Sequence, residues 1–139
     1  MQQGSGTKSF LPRGSGHMTV LTAFAFTLAP TLTHAMSLKF SWAGYQACAT
    51  ASPAFEVADV PARTAQLRFR MVDQKVSSYP HGGGTVAYTG TNQIAAGAFS
   101  FTGPCPPSGE QHNYQWTVQA LDSTGRVLGS AQAAAKFPP

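Results

Sequence analysis

Two segments in which apolar and polar residues alternate constrain this chain more than any other feature. The first runs from residue 66 to residue 73, and the second from residue 114 to residue 122, where Leu121 interrupts the alternation. A period of two is typical of a β-strand with one buried face, because successive side chains of a strand point to opposite sides. The predicted buried faces consist of Leu67, Phe69 and Met71 in the first strand and of Tyr114, Trp116, Val118 and Ala120 in the second.

Shorter extended segments, with turn signals between them, surround these two strands. They lie at residues 38–42, 54–57, 85–88 and 98–101. Several short strands without an internal repeat predict a mainly β fold, an antiparallel β-sandwich of two sheets. The Ala-rich segment 130–136, with Ser130 at the N-cap position, predicts a short helix, so at most one or two short helices are expected.

The first 35 residues are not expected to belong to the folded domain. Residues 1–17 are rich in Gly and Ser, contain the sequence LPRGS of a protease-cleavable linker, and are interpreted as an expression tag. Residues 18–35 contain an apolar run of about ten residues, which suits a signal-peptide core and is too short for a transmembrane helix. We predict a signal-peptide remnant, disordered if uncleaved, and no stable membrane span; a structured N-terminal strand is the alternative.

Residues 36–139 are enough for one small domain with a single core. They contain seven Lys and Arg residues against five Asp and Glu residues, because Lys8 and Arg13 precede them. The cationic excess is small, and Arg68 and Arg70 share with Gln66 a strand face that is typical of a solvated surface. Nucleic acid is therefore not an expected partner.

Two cysteines, Cys48 and Cys105, lie in turn-like sequence 57 positions apart. Together with the predicted export signal they indicate one disulfide, worth about 3 to 4 kcal/mol through chain entropy, and a periplasmic or secreted location. A catalytic thiol in a reducing compartment is the alternative. Two cysteines without a CxxC pair and only two histidines in the domain, His81 and His112, make a poor ligand set, so neither a metal nor a cofactor is expected.

Three ionisable residues stand where predicted strands meet loops. Asp73 ends a strand, His81 precedes three consecutive glycines, and His112 lies where the turn 103–109 becomes a strand. Two imidazoles near one carboxylate would suit an anion, because protonated histidine donates hydrogen bonds while the aspartate orients one ring. Alternatively, the three are separate loop residues satisfied by local contacts. The chain has no Gly-x-Ser-x-Gly motif, paired catalytic carboxylates or Ser clearly partnered with a His, so it is not expected to be an enzyme.

The segment Gly-Pro-Cys-Pro-Pro at residues 103–107, followed by His-x-Tyr at 112–114, is the most specific of a series of motifs. The others lie at residues 52–55, 60–64, 67–73, 81–83 and 120–122. In this order the motifs resemble the phosphatidylethanolamine-binding protein (PEBP) family, most closely its bacterial secreted branch. They cover nearly all of residues 36–139.

The resemblance implies two antiparallel sheets with short helices and a small anion-binding pocket at one end. It matches Asp73 with the first Asp of the family's Asp-Pro-Asp segment, His81 with its central His, and His112 and Tyr114 with the His and Tyr of its Gly-x-x-His-Arg-Tyr segment. Pro104 would shape the rim of the pocket. These five residues are the expected ligand-binding set, and the predicted disulfide would hold the wall that contains His112.

The chain departs from the family pattern at three places. Gln74 and Lys75 replace the Pro-Asp expected after Asp73, Asn113 replaces the usual Arg, and segment 89–97 is shorter than in most relatives. A smaller and more open pocket is therefore expected. A lysine in place of an acid would strengthen the attraction for anions if the Lys75 side chain points inward.

Three functions follow from these residues and from the resemblance. The leading one is a secreted, non-enzymatic binding module that takes a small anionic ligand or a phospholipid headgroup, through its phosphate or carboxylate, at Asp73, His81 and His112. The alternative is an interaction protein that modulates a kinase or protease and keeps the pocket as a vestige. A hydrolase or lyase using His and Asp for acid–base work is the third, although it lacks a nucleophile.

Overall fold

The computed structural model describes Gly4, residues 6–11, Gly14 and residues 35–139. The chain divides into two units, Met1–Leu32 and Thr33–Pro139, and all the strands described below lie in the second. Residues 18–34 of the predicted signal segment, and most of the predicted tag, lie outside the described residues. In the part of the chain that is described, no helix could span a membrane.

Seven strands form two antiparallel sheets in residues 35–139, which confirms the predicted mainly β sandwich. One sheet has three strands in the order β1-β2-β5, and the other has four in the order β4-β3-β6-β7. The predicted strand at residues 98–101 is reduced to an isolated bridge between Ser100 and Ala51. The strands are β1 (Ser37–Phe40), β2 (Phe55–Ala58), β3 (Gln66–Asp73), β4 (Gly83–Ala87), β5 (Gln93–Ile94), β6 (His112–Leu121) and β7 (Val127–Phe137).

The prediction of a helix at residues 130–136 is wrong, because this segment lies within β7 and pairs with β6. Alanine favours helices, but tertiary packing overrides its propensity here. Ala133 lies opposite Trp116 and Ala135 lies opposite Tyr114, so small side chains stand beside the two largest residues of the neighbouring strand. Alternate alanines of β7 are half-buried against the core, as the period of a strand requires.

The core between the sheets is dominated by aromatic rings. Phe55 of one sheet stacks on Phe69 of the other, with ring centroids 4.5 Å apart, and Trp116 meets Phe55 edge to face at 5.1 Å. A bulge lies between Ala120 and Leu121, and both residues are buried, which explains why Leu121 interrupts the alternation in the sequence.

The inward-facing rows of β3 and β6 become polar at one end of the sandwich. On β3 the row of apolar residues ends in Asp73, and on β6 the row begins with His112 and Tyr114 before it reaches Trp116. The register of the two strands places Asp73 directly opposite Tyr114. The same period of two that builds the core therefore brings three of the predicted site residues together.

The predicted disulfide between Cys48 and Cys105 is present, with Cα atoms 4.6 Å apart. Next to it, the backbone N–H of Cys48 donates to the carbonyl of Pro104 at 2.9 Å. Gly103 approaches the preceding loop so closely that a Cβ atom would lie 2.0 Å from the carbonyl oxygen of Ala49. Covalent, hydrogen-bonded and van der Waals contacts thus hold the Pro/Cys turn against residues 48–49.

Candidate functional site

A cavity of about 260 Å³ opens at the polar end of the inward rows. Four of the five predicted site residues line it: Asp73, His81, His112 and Tyr114. Pro104 is fully buried and is not among the lining residues; the wall is formed instead by the residues that follow it in the turn. The rest of the lining consists of Val76, Tyr79, Cys105, Pro106 and Pro107.

Asp73 is a buried carboxylate with three hydrogen-bond donors. Its Oδ1 accepts from the backbone N–H groups of Lys75 at 2.8 Å and Val76 at 3.2 Å, and its Oδ2 accepts from Nδ1 of His112 at 2.6 Å. Burial acts to raise the pKa of Asp73, but the hydrogen bonds from His112 and from the two amides outweigh it and lower this pKa below its usual value. Asp73 is therefore an ionised anchor that orients the ring of His112.

His112 has a carboxylate on each ring nitrogen. Its Nδ1 bonds Asp73, and its Nε2 lies 2.9 Å from Oε2 of Glu110. Because both partners are acceptors, both ring nitrogens donate and the ring is an imidazolium. The hydrogen bond to Asp73, followed by that to Glu110, raises the pKa of His112 above its usual value.

Glu110 is the site residue that the sequence reasoning missed. Its Oε2 accepts from both His112 and Nζ of Lys75. The bond from Lys75 and then the bond from His112 lower the pKa of Glu110. The spacing Glu-x-His was an available signal, because residues i and i+2 of an extended chain project to the same side.

Lys75 does not act as a free cation inside the pocket. Its side chain is 57% exposed and forms an ion pair with Glu110, two residues before the start of β6. Lys75 was expected to strengthen the attraction for anions if its side chain pointed inward. In the structure its charge is instead paired with the carboxylate of Glu110 at the edge of the site.

His81 differs from His112 in keeping one ring nitrogen without a partner among the described residues. Its Nδ1 donates to the carbonyl oxygen of Thr102 at 2.6 Å, and the N–H of Thr102 donates back to the carbonyl of His81 at 2.8 Å. These two bonds fix the ring of His81, which lines the cavity, and leave its Nε2 without a hydrogen-bond partner among the described residues. The ring stands edge-on to Tyr114, with centroids 5.4 Å apart.

Tyr114 supplies a hydroxyl that stays protonated at neutral pH. Burial, and then the charge of the Asp73 carboxylate, raise the pKa of Tyr114 to about 12. The site therefore combines an imidazolium, a second imidazole and a phenol with one buried carboxylate. Among the described residues, no group of three His, Cys, Asp or Glu side chains is arranged to hold a metal ion.

A second, larger groove of about 660 Å³ lies on the outer face of the four-stranded sheet, beside Arg68, Arg70 and the glycines of β4. The guanidinium of Arg68 bonds Oε1 of Gln119 at 2.7 and 3.1 Å. Arg68 and Arg70 are exposed, as the predicted solvated face requires. The smaller cavity is the better candidate site, because buried and mutually bonded ionisable groups converge there.

The ion pairs of His112 predict a maximum of stability in mildly acidic solution. Because the pKa of His112 is raised above 6.5, its contribution is complete below about pH 6.5 and is lost as the pH rises through the folded-state pKa. Because the pKa of Asp73 is lowered below 3.8, its contribution is present above about pH 4 and is lost as the pH falls through the folded-state pKa. Urea unfolding between about pH 3 and pH 9 should show the free energy of unfolding falling on both sides of this window.

Asp73→Asn should reduce the loss of stability on the alkaline side, because His112 loses the carboxylate that raises its pKa most. Asp122→Asn is the matched control. Hydrogen bonding from Thr124 lowers the pKa of Asp122 to about 2, so this variant should change only the acidic side. An alkaline decline that is the same in Asp73→Asn as in the unmodified protein would contradict the assignment.

Solved structures similar to this chain include two that are described as PEBP relatives. A PEBP homologue from Chlamydia trachomatis superposes with a TM-score of 0.55 at 17% identity, over 76% of this chain and 98% of that one. YbcL from E. coli, described as a new member of the mammalian PEBP family, superposes with a TM-score of 0.50 at 18% identity, over 63% of this chain and 80% of that one. No protein-family model and no curated protein sequence matches the chain. The chain therefore has the PEBP fold, as its motifs predicted.

Proposed function

We propose that this chain is a non-enzymatic, PEBP-like binding module that captures a small anion, the phosphate or carboxylate of a headgroup, in the cavity lined by Asp73, His81 and His112. The observation that carries the proposal is the convergence of two fixed imidazoles on one cavity, one held by two carboxylates and one whose Nε2 has no hydrogen-bond partner among the described residues. Because Nδ1 of His81 donates to Thr102, its Nε2 donates to an anion when the ring is protonated, through a charge-assisted hydrogen bond, while His112 adds positive charge to the same site.

The size of the cavity supports a headgroup rather than a whole lipid. At about 260 Å³ it lies just below the usual range of pockets for drug-sized ligands. The names of both solved relatives refer to phosphatidylethanolamine, whose headgroup carries a phosphate. The phenol of Tyr114 lines the same cavity and stays neutral, while Asp73 holds His112 in place.

The disulfide supports a periplasmic or secreted location for this module. Disulfides persist in oxidising compartments and are rare in the cytosol of most organisms. Both cysteines of the chain are used in this bond, so neither is a free thiol.

An NMR titration with inorganic phosphate tests the proposal. We expect phosphate at millimolar concentration to shift the imidazole signals of His81 and His112, and we expect His81→Asn to weaken binding by about ten-fold, the equivalent of one charge-assisted bond. Asparagine is chosen because its side-chain amide can keep the bond to Thr102 while the substitution removes Nε2, the ring nitrogen that the fold leaves without a partner among the described residues.

Arg70→Ala is the matched control, because it removes an exposed cation from the outer groove. It should leave the phosphate affinity unchanged. If Arg70→Ala abolishes binding and His81→Asn does not, the anion binds on the outer face and the proposed site is wrong.

A further inference from the structure

The ion pair between Lys75 and Glu110 lies next to the cavity, because Glu110 also bonds His112, which lines it. A single oxygen, Oε2 of Glu110, accepts hydrogen bonds from Nε2 of His112 and from Nζ of Lys75. The two donors come from different parts of the fold, because Lys75 follows β3 and His112 begins β6. An oxygen at this point satisfies both cations at once.

The second carboxylate on His112 is held much less firmly than the first. Asp73 is 4% exposed and has three donors, two of them backbone amides. The side chain of Glu110 is 41% exposed, and its other partner, Lys75, is 57% exposed. The Lys75–Glu110 pair is exposed on both sides and contributes little to stability, whereas the His112 ring on the other side of Glu110 is buried. The Glu110 carboxylate can therefore leave at a small cost when an incoming anion takes its place on that ring.

The backbone around Glu110 allows this exchange without unfolding the wall of the cavity. Its N–H donates to the carbonyl of Pro107 at 2.9 Å, and Gly109 occupies the left-handed region with φ of 81°. The main chain is therefore fixed by a turn, while the side chain is bound only through its carboxylate. Rotation of that side chain is enough to open Nε2 of His112.

On the basis of the proposed function, we propose that Glu110 is an internal occupant of the anion position, and that a phosphate group binds by replacing its carboxylate on Lys75 and His112. A phosphate monoester has more acceptor oxygens and more charge than the carboxylate it replaces. It can satisfy Lys75 and His112 and still present an oxygen to the cavity lined by His81. A monocarboxylate such as acetate only exchanges one carboxylate for another, so Glu110 makes the site selective for phosphate.

Binding of inorganic phosphate and of acetate to E110Q, measured by calorimetry and by the NMR signals of His112 at about pH 7, tests this inference. Glutamine keeps the shape of the side chain but removes its charge. We expect E110Q to bind phosphate about two- to five-fold more tightly than the unmodified protein, because the competing ion pair is lost. Lys75→Gln should weaken phosphate binding, because it removes one of the two donors.

Glu56→Gln is the matched control. Glu56 is also 41% exposed and forms an equivalent pair with Lys39 at 3.0 Å, away from the cavity. Glu56→Gln changes the net charge by the same amount as E110Q but leaves the cavity untouched, so it should not change the phosphate affinity.

The possible results separate the inference from the proposed function. Tighter phosphate binding by E110Q with no change in Glu56→Gln supports the inference, and so does phosphate binding that appears only in E110Q. Equal or weaker binding by E110Q, or an equal gain in Glu56→Gln, overturns the role of Glu110 and leaves the binding function standing. A failure of both the unmodified protein and E110Q to bind phosphate overturns both.

Discussion

Replacing both cysteines, in the variant Cys48→Ala/Cys105→Ala, is expected to lower the free energy of unfolding by about 3 to 4 kcal/mol. The disulfide closes a loop of 57 residues, and removing it returns conformational freedom to the unfolded chain. For a domain whose total stability is about 5 to 15 kcal/mol this is a large fraction. Urea unfolding under oxidising conditions measures the difference.

The unmodified protein under strong reductant is the control for the cysteine variant. It should lose the same stability, since the hydrogen bond between Cys48 and Pro104 and the close contact of Gly103 remain in both cases. A loss below about 1 kcal/mol in both samples would mean that these contacts alone confine the loop. The Pro106 and Pro107 wall of the cavity should then also keep its shape after reduction.

Trp116→Ala is expected to lower the free energy of unfolding by about 3 to 5 kcal/mol, because it empties the centre of the aromatic core. Trp116 is fully buried and contacts Phe55, Phe69, Phe99 and Phe101. Trp116→Phe should lower the free energy of unfolding by far less than the loss of ring volume suggests. Among the described residues, its Nε1 is the only buried side-chain nitrogen or oxygen without a hydrogen-bond partner, and phenylalanine removes this unpaired donor.

Trp42→Phe is the matched control for Trp116→Phe. Trp42 is almost as buried, but its Nε1 donates to the carbonyl oxygen of Ala135 at 3.3 Å. Its replacement leaves that acceptor without its donor, so Trp42→Phe should be the more destabilising of the two in urea unfolding. The opposite order would show that Nε1 of Trp116 is satisfied by water or by movement of the core.

The parts of the fold that follow from a period of two could be predicted from the sequence. Strand β3 has the predicted bounds, because the alternation in QLRFRMVD is itself the pattern of a strand with one buried face. Strand β7 could not be predicted in this way. Its alanines favour a helix locally. The extended conformation is favoured only by tertiary packing, because small residues fit beside the bulky Trp116 and Tyr114 of the neighbouring strand.

The candidate site could be predicted only in part. Asp73 and His112 are 39 residues apart, and spacing alone cannot show that antiparallel pairing of their strands makes them hydrogen-bonded neighbours. The resemblance to the PEBP family predicted that the two residues lie in one pocket. It could not supply Glu110, because this contact depends on the local turn and on the lysine at position 75, where the chain departs from the family pattern. The assignment to a bacterial secreted branch stays a prediction.

The position of Asp73 and His112 within the strand ladder has a consequence for the kinetics of binding. Both side chains are ordered when the sheet forms, because one is fixed by backbone amides and the other by a buried carboxylate. An incoming ligand thus meets a preorganised receptor whose rotamer entropy was lost during folding rather than on association. Association should then require only the rotation of one exposed side chain, a movement on the picosecond to nanosecond scale, so ligand diffusion rather than loop closure should limit its rate.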